Sequence, residues 1–404
     1  VRKSLILHQN IMDMTLHKRL ILIAFLLVCM FAFAIAKPKK AMVADVAVTN
    51  LTAERLYTPL SLDTPTPRLG WQIVSRKNDV MQTSAQIIVS STREKAEALE
   101  GDLWNFTVNS DQSQWVRYAG KPLKSATRCY WRVKVFTTKG ESDWSIIQEW
   151  NVGLLTESDW QGQWIGYDRT NPGDVEDVHS RLSSRYLRTE FALDEAAVTR
   201  ATLYICGLGL YEAYINGKKV GADVLTPSPT DYRRTVLYNA YDVTAMLQKN
   251  NALGVVLGNG RYYTMQQKKK PYKITNFGYP TLRANLIIEY ADGKRKTIST
   301  NEKTWQLSCN GPLRSNNEYD GEIYDARLES DWTLPDFDAS SWQKAERTAI
   351  PYGTLRGSMQ QQMRELAAWS PKELKKIGDK YIVDFGQNLS GWVNLNISNT
   401  QEGD

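Results

Sequence analysis

Apolar and polar side chains alternate along most of this chain, and the stretch from Cys129 to Phe136 shows the pattern most plainly. Cys129, Trp131, Val133 and Val135 fall on one face and Tyr130, Arg132, Lys134 and Phe136 on the other, the period of a half-buried antiparallel strand. The same pattern predicts strands at Ala85–Ser90, Thr202–Cys206, Tyr211–Ile215, Leu282–Tyr290 and Tyr381–Phe385. Asn216-Gly217 and Asp292-Gly293 each separate two alternating runs and predict type I′ hairpin turns, which need a positive φ at both central residues. Helical spacing is confined to Arg93–Leu99 and Val243–Gln248, and no alternation of strand and helix points to a parallel sheet. The predicted fold class is all-β, mostly antiparallel.

The strands group into tandem β-sandwiches. Residues 44–154 end in the run around Trp131, a turn at Gly140 and Trp144-Ser145, and their length fits a seven-strand sandwich of the fibronectin type. Residues 160–350 carry many short strands and a loop with Pro227 and Pro229, which predicts a jelly roll. Residues 351–404 hold Tyr381–Gly386 and a second alternating run, Trp392–Ile397, that has no following partner. This predicts a truncated third sandwich, since a lone hairpin has too little apolar face to stand alone.

Composition narrows the chemistry. The 404 residues are 42% hydrophobic and 23% charged, a globular composition that excludes disordered, collagen-like and polytopic membrane classes. Lys18-Arg19, seventeen apolar residues from Leu20 to Ala36 and the small-residue exit Ala34-Ile35-Ala36 predict a signal peptide over residues 1–36. The mature protein would start at Lys37 and be periplasmic or extracellular, with a membrane as partner only if the leader stays uncleaved. Half of the formal charge of +6 lies in that leader, so the rest is too weakly basic for nucleic acid, and Lys268-Lys269-Lys270 reads as a solvated loop.

Histidine is scarce. His8 and His17 belong to the leader, and His179 alone can build neither a multi-histidine zinc site nor, without a nucleophile elbow nearby, a catalytic triad. Cys129, Cys206 and Cys309 form no disulfide framework or zinc knuckle, and the first two read as small buried hydrophobes. Whether any pair is bridged stays open at this level. Gly207-Leu-Gly209 and Gly258-Asn-Gly260 lack the third glycine or lysine of phosphate loops and read as turns. No metal site and no cofactor is expected.

One acidic cluster stands out, Glu318, Asp320, Glu322 and Asp325 interleaved with Tyr319 and Tyr324. If extended, Glu318, Asp320, Glu322 and Tyr324 line one face and could contact a sugar, although an interdomain contact or a solvated strand explains them as well. The cluster lacks the order of a calcium loop. Thirteen tryptophans and twenty tyrosines hint at sugar platforms, but Trp71, Trp131 and Trp150 fit sandwich cores.

The run Leu203–Gly221, with Asp231-Tyr-Arg-Arg, Tyr241-Asp-Val-Thr244 and Leu257-Gly-Asn-Gly-Arg-Tyr-Tyr263, resembles the N-terminal domain of bacterial α-L-rhamnosidases. Arg68-Leu-Gly-Trp71 and Tyr130-Trp-Arg132 resemble the preceding fibronectin-type module of that family. Tyr319–Arg327, Phe337-Asp338 with Trp342, and Asp384-Phe-Gly-Gln-Asn388 resemble its more C-terminal segments. The resemblance implies an exported, inverting glycoside hydrolase that removes terminal α-L-rhamnose from glycans or glycosides. It also implies that the acid and base lie in an (α/α)-barrel beyond a concanavalin-like sandwich opened by Asp384–Asn388, so no catalytic residue is carried onto this chain. Two classes remain open: an accessory portion of such an enzyme, inactive alone, or a carbohydrate-binding or scaffold protein. Linkage, aglycone and oligomeric state are not legible.

Overall fold

The structure, a computed structural model, describes residues 45–172, 174, 182–263, 277–317 and 321–398. Residues 1–36, His179, Lys268–Lys270, Glu318 and Asp320 lie outside the described residues. The chain is almost entirely β.

The first sandwich pairs β1 (Val46–Ala53), β2 (Arg68–Ser75) and β5 (Val116–Arg117) in one sheet. The facing sheet orders β4 (Trp104–Val108), β3 (Gln82–Ser90), β6 (Arg128–Thr137) and β7 (Gly140–Glu141), with β8 (Gln148–Asn151) also on β6. The alternation predicted for β6 is what folds it: Cys129, Trp131, Val133 and Val135 are fully buried between the sheets. Trp71 and Trp150 join them, and Trp131 meets Trp150 edge-on at 6.2 Å. Helix α1 (Arg93–Glu97) is the α-helix among the described residues; Thr92 caps it by accepting from the Lys95 amide.

The second sandwich is larger. One sheet runs in the order β13 (Lys218–Lys219), β12 (Leu210–Ile215), β15 (Asn250–Gly258), β10 (Arg185–Ala192), β18 (Gln306–Ser308) and β21 (Gln343–Lys344). The other runs β22 (Glu346–Arg347), β9 (Ile165–Gly166), β16 (Thr281–Tyr290), β11 (Val198–Leu208), β14 (Thr235–Asp242) and β23 (Thr354–Gly357), with β17 (Arg295–Ser299) beside β16. Leu203 and Ile205 point into the core between these sheets, with Leu187, Val255 and Leu286. Their neighbours Tyr204, Cys206 and Leu208 point the other way, into a separate cluster with Ala126, Leu154, Trp160 and Tyr238. Strand β11 is therefore buried on both faces, because the first sandwich and the connecting segment cover the outer side of its sheet.

That seam is also polar. The Tyr238 hydroxyl accepts from the Leu154 amide at 2.6 Å and donates to the Leu154 carbonyl at 3.1 Å. Arg128 reaches Asp242 at 3.1 Å, and Arg356 reaches Asp63 at 2.8 Å. The two sandwiches thus share a third core rather than a flexible linker.

One predicted turn forms as expected, and several other expectations are corrected. Asn216 and Gly217 both take positive φ, 51° and 80°, and Ile215 pairs Lys218 across a two-residue turn. Asp292 does not: only Gly293 is left-handed, at 83°, the Gly293 amide donates to the Tyr290 carbonyl, and the Tyr290 amide donates to the Lys294 carbonyl. This is a three-residue loop with glycine at the left-handed position, which relieves Asp292 of the strained conformation. Val243–Gln248 is reduced to a 3₁₀ turn at Thr244–Met246, since the Asn251 side chain takes both the amide and the carbonyl of Gln248 and β15 begins at Asn250. Gly207 lies within β11 rather than in a turn. The chain past residue 350 still serves the jelly roll, because Thr354–Gly357 add a parallel strand to β14. Beyond it, β24 (Glu373–Ile377) and β25 (Lys380–Asp384) form a hairpin about Gly378. Trp392–Ile397 forms no strand; no strand lies beside it among the described residues, and its side chains are exposed.

Candidate functional site

Of the acidic cluster and its tyrosines, Glu322 and Tyr324 lie on a strand of a two-stranded hairpin. Strand β19 (Leu313–Asn317) pairs β20 (Gly321–Tyr324), with Asn316 opposite Glu322 and Asn317 opposite Gly321. Glu318 and Asp320, the other two residues expected on a face with Glu322 and Tyr324, lie outside the described residues. Gly321, at φ 76°, supplies the left-handed residue where β20 begins.

Asn316 anchors this hairpin, a role that sequence alone gave no reason to assign. Its Oδ1 accepts from the Asn259 amide at 2.7 Å, and its Nδ2 donates to Ser184 Oγ at 3.0 Å. The Leu313 amide donates to the Tyr186 hydroxyl at 3.0 Å. The outer face of the sheet is thus tied to the hairpin through buried amides, while Glu322 and Tyr324 stay exposed.

The carboxylates beside them are engaged. Tyr324 donates its hydroxyl to Glu329 at 2.7 Å, and that bond, with some burial, pushes the phenol up to about 12. Asp325 caps the turn Ala326–Leu328 by accepting from the Arg327 amide and pairs with the Arg327 guanidinium at 2.7 Å, which holds its carboxyl below the ordinary value. A residue committed to capping is not free to shuttle protons. Among the described residues no three His, Cys, Asp or Glu side chains are grouped to hold a metal ion.

Cys129, Cys206 and Cys309 are buried and free. Burial pushes the Cys129 thiol up to about 12 and that of Cys206 higher, the opposite of what a nucleophile needs. Trp332 lies on the outer face of the β10 sheet, edge-on to Tyr186 at 5.2 Å, and closes over Gly254, so it packs the fold.

Known proteins divide in the same way. Residues 48–156 match the family described as Rha78A-like, N-terminal immunoglobulin domain, and residues 196–367 match the alpha-L-rhamnosidase N-terminal domain. An alpha-L-rhamnosidase of Formosa agariphila is 35% identical across 94% of this chain and 42% of its own length. The solved alpha-L-rhamnosidase from Dictyoglumus thermophilum superposes with a TM-score of 0.75 at 33% identity, over 86% of this chain and 39% of that one. The enzyme from Aspergillus terreus gives a TM-score of 0.75 at 30% identity, over 85% of this chain and 39% of that one. The chain spans about two fifths of the length of these relatives.

Proposed function

This chain is an N-terminal portion of the α-L-rhamnosidase family, and from that premise we propose that its two sandwiches are the accessory mount of an exported glycoside hydrolase acting on rhamnose-containing glycans or glycosides. The observation that carries the reading is the match of both sandwiches, in order, to the two N-terminal families of those enzymes. An inverting hydrolase protonates the leaving oxygen with one carboxylic acid and activates water with a second carboxylate about 6.5–9.5 Å away. Asp325, capping a turn and paired with Arg327, is unsuited to either role, and Glu322 stands exposed to solvent. The acid and base therefore belong outside these two sandwiches, and the exposed edge carrying Glu322 and Tyr324 is at most a place where a sugar is touched.

Turnover is the test. The purified 404-residue chain is expected to leave an aryl α-L-rhamnoside intact; release of rhamnose that Glu322→Gln abolishes would promote the hairpin to a catalytic site and overturn the accessory role. Export rests on the leader pattern ahead of Lys37. Mass spectrometry of secreted protein is expected to find Lys37 first, and an intact leader in a membrane fraction would support an anchored protein instead.

A further inference from the structure

On the first sandwich two guanidiniums lie against one exposed indole. Trp115, 45% exposed, has Arg55 Cζ at 4.3 Å from its ring centroid and Arg68 Cζ at 4.1 Å. Arg117 stands directly opposite Arg68 where β5 pairs β2, so a third cation projects from the same face, although like charges in that position oppose pairing.

The backbone is strained to hold this group. Glu54 and Arg55 form a two-residue turn between Ala53 and Leu56, which exchange amide-to-carbonyl bonds, and both take the left-handed conformation, at φ 51° and 65°. Such turns ordinarily use asparagine and glycine. Trp115 is left-handed as well, at 62°, where a bulky side chain seldom sits, and its neighbour Gln114 is fixed by donating Nε2 to the Trp71 carbonyl at 2.8 Å. Strain of this kind gathers where a fold holds side chains ready for a ligand.

Charge is also left over. Glu54 is spent on Arg68: its Oε1 accepts from the Arg68 amide at 2.8 Å and from Nε at 3.1 Å, and its Oε2 accepts from Nε at 3.0 Å and from Nη2. Burial opposes the charged form of Glu54, but these bonds and the charges of Arg68 and Arg117 hold its carboxyl below the ordinary value. Arg55 and Arg117 are exposed, and among the described residues neither pairs with a carboxylate; Arg117 reaches Thr66 Oγ1 at 3.5 Å. Stacking on Trp115 occupies the face of the Arg55 guanidinium and leaves its N–H edge free to donate.

Two open guanidinium edges beside an aromatic ring select an oxyanion on an otherwise apolar or neutral body. A guanidinium fork matches the paired oxygens of a carboxylate or a sulfate. Nucleic acid and anionic membranes are held by stripes or by clusters of about 4–8 cations, whereas this spot offers places for one or two oxyanions. We propose that Arg55, Arg117 and Trp115 bind an acidic glycan, the arginines taking a carboxylate or sulfate borne by a sugar and the exposed part of the indole packing beside the sugar ring. The choice of a glycan rests on the accessory reading given above.

Titration calorimetry on the full chain tests this with trigalacturonate, dextran sulfate and unmodified dextran. Binding to an acidic glycan and none to dextran is expected, with affinity weakened about tenfold in Arg55→Gln and in Arg117→Gln. Both side chains are exposed, so the variants keep the fold. Arg233→Gln, at an exposed arginine of the second sandwich, removes the same unit of charge and is expected to bind as the wild type does. Binding of trigalacturonate alone assigns a carboxylate to the site and binding of dextran sulfate alone a sulfate; either upholds it. No binding to either acidic glycan, wild-type affinity in both Arg55→Gln and Arg117→Gln, an equal loss in Arg233→Gln, or tighter binding of single-stranded DNA would each overturn the proposal. The turnover assay reads the accessory role independently, so a failure here strikes the arginine cluster alone.

Discussion

Asp102 sits between α1 and the start of β4, where Lys95 Nζ approaches at 2.7 Å and Ser91 donates through both its amide and its hydroxyl. Burial works against the charged form, but these donors outweigh it and hold the carboxyl at about 2. A carboxyl depressed on folding contributes stability above its unfolded pKa of about 3.9 and loses it as the pH falls through the folded value. Asp102→Asn is therefore expected to lower stability by about 1–2 kcal/mol at pH 7, discounted for its partly exposed lysine partner, with wild type and variant converging between about pH 4 and 2. Urea melts across that range check it; an unchanging difference would show that the pair contributes nothing. At this scale the sequence was legible where one residue type has one conformational use, as at Asn216-Gly217. It was not legible where identity and geometry separate, as at Asp292, whose loop is set by the pairing of Tyr290 with Lys294. Asn316 was invisible because an asparagine takes its meaning only from partners far along the chain.

At the scale of elements, alternation located β3, β6, β11, β12, β16 and β25, since most of them have an apolar face that must be covered. It missed β24, whose Glu373-Leu-Lys-Lys-Ile377 is mostly charged, and it assigned Trp392–Ile397 a strand that its surroundings do not support. A strand is a statement about a neighbour, and period two names only the side chains. The hairpin β24–β25 and the run after it expose Leu374, Tyr381, Ile382, Trp392, Val393 and Leu395, each by at least half. Covering one such side chain is worth roughly 1.5–3 kcal/mol, so little opposes local opening here. Limited proteolysis is expected to cut between 366 and 398 and leave a core that retains Arg364, bound to Asp223. Resistance through Ile397 would contradict this.

For the molecule as a whole, the sequence predicted two sandwiches and a truncated third, but not the seam between the first two. Tyr204 and Cys206 looked like the second face of an ordinary strand, and only the fold shows that this face, continued by Leu208, meets Leu154 and Trp160. A mount of fixed geometry requires that the two sandwiches melt together, because a shared core of buried aromatics cannot be lost from one without exposing the other. Differential scanning calorimetry tests this most directly. A single transition with equal calorimetric and van't Hoff enthalpies is expected, lowered in Tyr238→Phe, which leaves the Leu154 amide and carbonyl without partners at a cost of about 1–3 kcal/mol. Two resolved transitions in the wild type, with only one of them moved by Tyr238→Phe, would contradict a single body.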